Sequence, residues 1–212
     1  KMGRLVERVV KSVSLPVTVK TRLGWDAESI KIVDVARMLE QLGVQALTVH
    51  CRTRVQGHKG DPDYSWIPLV KSAVKMPIIV NGGINSPQDA ERVFRETGAD
   101  GVMIARAAIT NPWLFREIKH YLATGMLLPV PTIDQRFEQI LGHMKMAVEF
   151  KGERRAVLEY RKHYSGYLHG LPHAARVRQE LMVPVTFQEV EQILLKYQEL
   201  LHRLPLEPAS VP

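Results

Sequence analysis

Four short apolar runs punctuate the first half of the chain, separated by amphipathic stretches. They cover residues 16–22 ("PVTVKTR"), 46–50 ("ALTVH"), 77–80 ("PIIV") and 101–104 ("GVMI"). Short runs rich in β-branched residues between helical segments predict buried parallel strands. Ahead of the first run, Leu5, Val9 and Val13 recur at i, i+4 and i+8, and Val6 and Val10 widen the stripe. That spacing predicts a helix over 1–13. A second helix is predicted over about 28–42, with Ile30, Val33, Leu39 and Leu42 on its buried face and Gly43 as its stop. A third is short, near 65–74. The fourth opens at Ser86, with Pro87 and Asp89 forming a capping pattern, and ends at Gly98.

The half-unit "GVQALTV" at 43 returns as "GADGVMI" at 98, and "PVTV" at 16 returns as "PIIV" at 77. Repetition of this kind predicts βα units of a barrel. After about residue 128 the pattern changes. "LPVPTID" is a proline-bearing linker, and helical stretches follow at 134–150, 153–168, 172–182 and 186–203. The expected organisation is an α/β region over 1–128, made of four parallel strands and half of a (β/α)8 barrel. An all-α region over 129–212 follows it.

Composition adds limits. The 212 residues are 45% hydrophobic, enough for a core. No apolar run reaches the roughly 18 residues of a membrane span, and the N-terminal residues do not read as a signal peptide. A single cysteine excludes an internal disulfide and fits a reducing compartment, so the cytoplasm is expected. No metal site is expected. The formal net charge of +7 suggests a polyanionic partner. Much of the excess lies in 151–180, where Arg161, Lys162, Arg176 and Arg178 stand out. Tyr160, Tyr164 and Tyr167 are interleaved with them, a mixture that suits RNA as well as a solvated helix face.

Candidate chemistry gathers at the strand ends, where α/β folds bind ligands. The alternation of "TVKTR" puts Lys20 and Arg22 on one side of the first strand. Two inward cations there call for an anion. His50 ends the second strand and Arg52 follows on the same side; the imidazole can donate to a ring carbonyl or hold an anion. Cys51, between them, reads as a small packed residue. After the third strand, Asn81 is followed by Gly82 and Gly83, which let backbone N–H groups approach a phosphate. After the fourth, Ala105 keeps the backbone accessible and Arg106 supplies charge, with a short helix expected near Ala107. The loop "CRTRVQGHKGDPDY" is too long for an ordinary connection, as functional loops often are.

Taken together, "PVTVKTRLGWD", "LTVHCRTR", "PIIVNGGI", "DGVMIARAAITNPWLF" and "YRKHYSGYLHGLP" resemble the bacterial tRNA-dihydrouridine synthases in their B-type form, from Met2 to about Leu201. The resemblance implies an FMN-dependent enzyme that reduces uridine in the tRNA D-loop to 5,6-dihydrouridine with electrons from NADPH, monomeric when intact. It implies that Lys20 and His50 contact FMN and the uracil, and that Arg22 and Arg52 line the substrate side. Asn81, Gly82, Gly83, Ala105 and Arg106 would hold the phosphate and ribityl arm. The helical region would bind tRNA. The family usually has Gly-Arg where this chain has Ala105-Arg106. The family's first four strands, and its Asn-Met-Gly-Cys-Pro segment with the proton-donor cysteine, have no counterpart here. The expectation is therefore a C-terminal portion, with that cysteine upstream of Lys1 or on another chain, and no catalysis by this portion alone. A tRNA-binding module without chemistry, and another FMN-dependent barrel oxidoreductase, stay open as alternatives.

Overall fold

The computed structural model describes residues 1–204. Residues 205–212, the end of the region predicted to be helical, lie outside the described residues. Two compact units are present, one made of residues 1–108 and 112–128, the other of residues 109–111 and 129 onward.

The first unit alternates helices and strands: α1 (Met2–Ser12), β1 (Thr18–Arg22), α2 (Ile32–Gln41), β2 (Ala46–His50), α3 (Trp66–Ala73), β3 (Ile78–Asn81), α4 (Pro87–Thr97) and β4 (Gly101–Met103). α5 (Arg106–Thr110), whose last two residues belong to the second unit, and α6 (Leu114–Thr124) follow. The strands form one parallel sheet in the order β1-β2-β3-β4. Its register places Arg22 beside His50, His50 beside Asn81, and Asn81 beside Met103. The carboxyl ends of all four strands therefore finish in one row.

Leu47 and Val49 of β2, Ile78 and Val80 of β3, and Ile67 and Val70 of α3 are fully buried. Each such side chain contributes roughly 1.5–3 kcal/mol of transfer free energy. The cap of α4 forms as its sequence predicts: Ser86 accepts from the Asp89 N–H, and Gly98 closes the helix at φ 64°. Three expectations need correction. α2 starts at Ile32 rather than near 28, because the Asp26 N–H donates to Ser29 Oγ and the Lys31 N–H reaches back to the Leu23 carbonyl. Those bonds hold 24–31 as a turn, and the buried face of α2 becomes Ile32, Ala36 and Leu39. On α1, the stripe Leu5, Val9 and Val13 is exposed, while the flanking Val6 packs against the core. α6 carries no strong sequence signal, yet it buries Leu114 and Ile118.

The second unit contains α7 (Ile133–Lys151), α8 (Glu153–Tyr160), a 3-10 turn (Arg161–His163), α9 (Tyr164–Tyr167), α10 (Ala174–Glu180) and α11 (Phe187–Arg203). Capping boxes open α7 at Thr132 and Gln135, and α11 at Thr186 and Glu189. Phe137, Ile140, Met144, Val157, Leu194 and Leu201 form its core. Among the described residues no strand follows Met103, and no helix is long and apolar enough to cross a membrane.

Candidate functional site

The row of strand ends opens on a cavity of about 320 Å³ in the first unit. Lys20, Arg22, His50, Arg52, Asn81, Gly82, Gly83, Ala105 and Arg106 all line it. These residues come from four separate strand ends. The parallel register brings them together, since each strand stops at the same level. Four of them are cations, and none of the described lining residues is acidic.

The two arginines nearest the strands are anchored. Arg22 Nη1 donates to the carbonyls of Thr53 and Gly57, at 2.8 Å each. Arg52, only 5% exposed, donates from Nε and Nη2 to the Gly60 carbonyl. A guanidinium bonded to neutral carbonyls keeps its full charge, so the bonds fix the cations without cancelling them. They also fold the loop 51–64 over the strand ends. Thr53 and Gln56 close a tight turn in that loop by exchanging backbone-to-side-chain bonds.

His50 is 7% exposed and faces this positive field. Burial, and then Arg22, Lys20, Arg52 and His58, hold its pKa down to about 4. The ring is therefore neutral near pH 7, with one nitrogen donating and one accepting. Lys20 is also lowered, by burial first and Arg22 second. Cys51 is fully buried, and its thiol is pushed up to about 12, chiefly by burial. It is a packed thiol rather than a nucleophile.

Asn81 Nδ2 donates to the Met103 carbonyl at 2.8 Å and ties β3 to β4. Gly82 and Gly83 follow at φ 114° and 71°. A Cβ at Gly82 would meet the His50 ring at 3.0 Å, and one at Gly83 would meet Pro62 and Tyr64 Oη at 2.8 Å. Only glycine allows this turn to pass beneath the loop. Ala105 and Arg106 are exposed at the rim, and α5 starts at Arg106 itself.

Two residues of the site carry no individual signal in the sequence. Tyr64 Oη donates to the Gly82 carbonyl at 2.6 Å and holds the glycine turn. His58 lines the cavity, its ring 5.8 Å from that of His50. Both sit on or beside the long polar loop, whose length was the available clue.

In the second unit the basic tract has a different character. Tyr160, Tyr164 and Tyr167 are at most 2% exposed and belong to the core. They offer no ring face to a base, which removes the argument from interleaved aromatics. Tyr160 Oη donates to the Ile140 carbonyl and Tyr167 Oη meets His143 Nδ1. Arg176 pairs with Glu180, and Lys151 and Arg155 both pair with Glu159. Arg161 is half-buried, with Nη2 3.4 Å from the Pro184 carbonyl. Arg178 is half-buried as well, and Lys162 is exposed. A cavity of about 410 Å³ between α10 and α11 mixes Arg176, Lys196 and Arg203 with Glu180 and Glu199.

A family model described as dihydrouridine synthase matches residues 1–203. The chain is 42% identical to a tRNA-dihydrouridine synthase B of Xanthomonas campestris pv. campestris, over 84% of this chain and 53% of that protein. It is 42% identical to a probable tRNA-dihydrouridine synthase 1 of Synechocystis sp., over 90% of this chain and 53% of that protein. A tRNA-dihydrouridine synthase B of Vibrio vulnificus is 39% identical over 93% of this chain and 59% of its own length. The chain spans about half the length of these curated relatives. On the strength of the match along 1–203 and of these identities, the chain belongs to the dihydrouridine synthase family.

Proposed function

We propose that this chain supplies the flavin-phosphate side and the RNA-binding side of an enzyme that reduces uridine in the tRNA D-loop to 5,6-dihydrouridine. FMN is the cofactor, NADPH the electron donor and the cytoplasm the setting. The observation that carries the reading is the strand-end cavity, in which Lys20, Arg22, Arg52 and Arg106 meet with no carboxylate among the lining residues. Such a site favours an anionic ligand, and the Gly82-Gly83 turn leaves backbone accessible beside it. The donor set fits a phosphorylated flavin.

In this reading Asn81, Gly82, Gly83, Ala105 and Arg106 hold the phosphate and ribityl arm. Bound flavin would supply hydride to the uracil ring. Lys20 places positive charge where negative charge grows on reduction. The neutral His50 ring donates a hydrogen bond to a carbonyl oxygen of flavin or uracil. Arg22 and Arg52 hold the loop 51–64 as a wall and keep the cavity positive. A base stacked in a helix cannot enter such a cavity, so the uridine is flipped out. The second unit binds tRNA, through Lys162 and Arg178 together with Arg161 and Arg176. In this reading the proton donor and the remaining four barrel strands lie outside these 212 residues, and where they belong to the same polypeptide the intact enzyme is a monomer.

Titration of the 212-residue chain with FMN, followed by flavin fluorescence, tests the cofactor assignment. Saturable quenching that is weakened by Arg106→Ala is expected. Quenching identical in wild type and R106A would remove the phosphate role.

A further inference from the structure

Trp25 is 64% exposed and Val55 is 69% exposed, although each lies in a well-ordered loop. The order has a visible origin. Arg54 N–H donates to the Gly24 carbonyl, and Val55 N–H to the Trp25 carbonyl, at 2.9 Å each. Leu23 N–H donates to the Arg52 carbonyl, which extends the pairing toward the strands. Arg22, through Thr53 and Gly57, clamps the same loop from below. At Gly24 a Cβ would meet the Ser29 carbonyl at 2.6 Å and the Ile30 Cα at 2.8 Å, so glycine is required to turn the chain there and present Trp25. The Arg54 guanidinium carbon sits 6.0 Å from the Trp25 ring centroid.

A large aromatic ring is thus held outward by two loops pinned to each other, with a cation over it. Neither side chain contributes to the described core. A fixed ring loses little conformational entropy on binding, and every nucleobase offers a π-face to it. The neighbourhood decides what kind of ligand fits. Arg22 and Arg52, which flank the same two loops, line a cavity whose described walls include four cations and no carboxylate. The carboxylate closest in sequence is Asp26, which follows Trp25 and has one oxygen buried without a partner. An uncharged apolar partner would match the exposed apolar atoms but not this positive field. An unpaired nucleotide matches both, with its base on the ring and its phosphate toward the cations.

We propose that Trp25 and Arg54 form a stacking platform for an unpaired base of the RNA. This is a second base site, beside the strand-end cavity that takes the uridine. The inference rests on the RNA reading above and assigns residues outside that cavity. Its occupant is a nucleotide flanking the flipped one, and stacking holds the strand open at the cavity mouth.

The test uses the 212-residue chain, a single-stranded oligouridylate, an RNA duplex of equal length and a tRNA transcript. Tryptophan emission should be quenched by the oligouridylate and by tRNA, and much less by the duplex. Trp25→Phe should keep most of the affinity, because a phenyl ring still stacks, and should lose the quenching. Trp25→Leu keeps an apolar side chain without a ring and should bind roughly 5-fold or more weakly, the lower end of what one base stack is worth. Arg54→Ala should cost about 2- to 5-fold, as an exposed cation–π partner does. Thermal melts confirm that W25F and W25L fold alike. Equal affinity of W25L and wild type for tRNA overturns the platform, even where Gln at Arg161, Lys162, Arg176 and Arg178 weakens binding and so upholds the RNA reading. Loss of self-association in W25L, with RNA affinity unchanged, also overturns it, in favour of a contact between copies. Absence of any RNA binding by wild type overturns the platform and the RNA reading together.

Discussion

Both units combine basic residues with aromatics, and they use them in opposite ways. At the strand ends of the first unit, Arg22 and Arg52 bond to neutral carbonyls, so their charge stays uncompensated and points at one cavity. In the second unit Arg155 and Arg176 pair with carboxylates of their own helices, and Lys151 with one on the next helix. The tyrosines follow the same division. Tyr64 holds the glycine turn of the site, whereas Tyr160, Tyr164 and Tyr167 fill a core. A dense run of charge in sequence is therefore a poor guide to a binding site. What matters is whether the acceptor of each cation is charged, and that is a property of the fold.

The largest effect that would sharpen this contrast concerns glycine. A Cβ at Gly166 would run into the Thr110 backbone, which cannot move aside as a flexible side chain can. Gly166→Ala is expected to destabilise the helical unit by ~3 kcal/mol or more, read as a lowered unfolding midpoint. Gly83→Ala in the first unit combines φ 71° with a close approach to Pro62 and Tyr64. It should cost somewhat less stability but disturb the site. An unchanged midpoint in G166A would show that the core of the second unit yields more readily than its packing implies.

The pH dependence comes next. The pKa of His50 in the folded chain, about 4, lies below its ordinary value of 6.5. Between those values the unfolded chain takes up a proton that the folded chain refuses. Stability therefore falls as pH drops through that window and is unaffected by His50 above it. The loss is on the order of 3 kcal/mol at the acid end. His143 and His163 in the second unit are lowered too and add with the same sign. His50→Gln should accordingly flatten part of the acid limb of a stability-versus-pH curve. A limb identical to wild type would mean that His50 is better solvated than its 7% exposure indicates.

The clamp on the loop is a more local matter. Arg22→Met removes two charge-assisted bonds, each worth about 1.5–3 kcal/mol to the segment they hold. Hydrogen exchange should quicken at residues 53–60 while the central strands keep their protection. Uniform protection across the loop would dissociate the clamp from its order. The smallest effect belongs to the tract. Arg176 is 82% exposed in its pair with Glu180, so Arg176→Gln should shift stability by less than about 0.5 kcal/mol. Its effect on tRNA binding is a separate quantity. Removing one cation from an RNA phosphate lowers the slope of log affinity against log salt by somewhat under one unit. Replacement of all four basic residues with Gln reads that slope, and an unaltered value would leave the tract a solvated face.

Much of this was legible in the residues. The four strands follow from β-branched runs too short to be helices. The cap of α4 follows from Ser86, Pro87 and Asp89, because capping is settled within one turn of chain. The cavity set of Lys20, His50, Asn81, Gly82 and Arg106 could be nominated because each residue lies within two positions of the end of an apolar run, and parallel strands end on one side. The start of α2 was misplaced because Ser29 captures a backbone N–H, a choice that competes closely with helix formation. The exposed stripe on α1 and the buried face of α6 depend on what each helix meets, which periodicity does not reveal.

Local chemistry in the sequence thus determined the order of the elements, the cap of α4, and the residue types present at the strand ends. The tertiary structure alone decided that Arg22 and Arg52 bond to loop carbonyls 31 and 8 residues away along the chain, that Tyr64 reaches Gly82, and that the tyrosines of the basic tract turn inward. Those outcomes depend on distances between segments remote in sequence. Burial and the neutralisation of charge are set by such distances, and no periodicity along the chain records them.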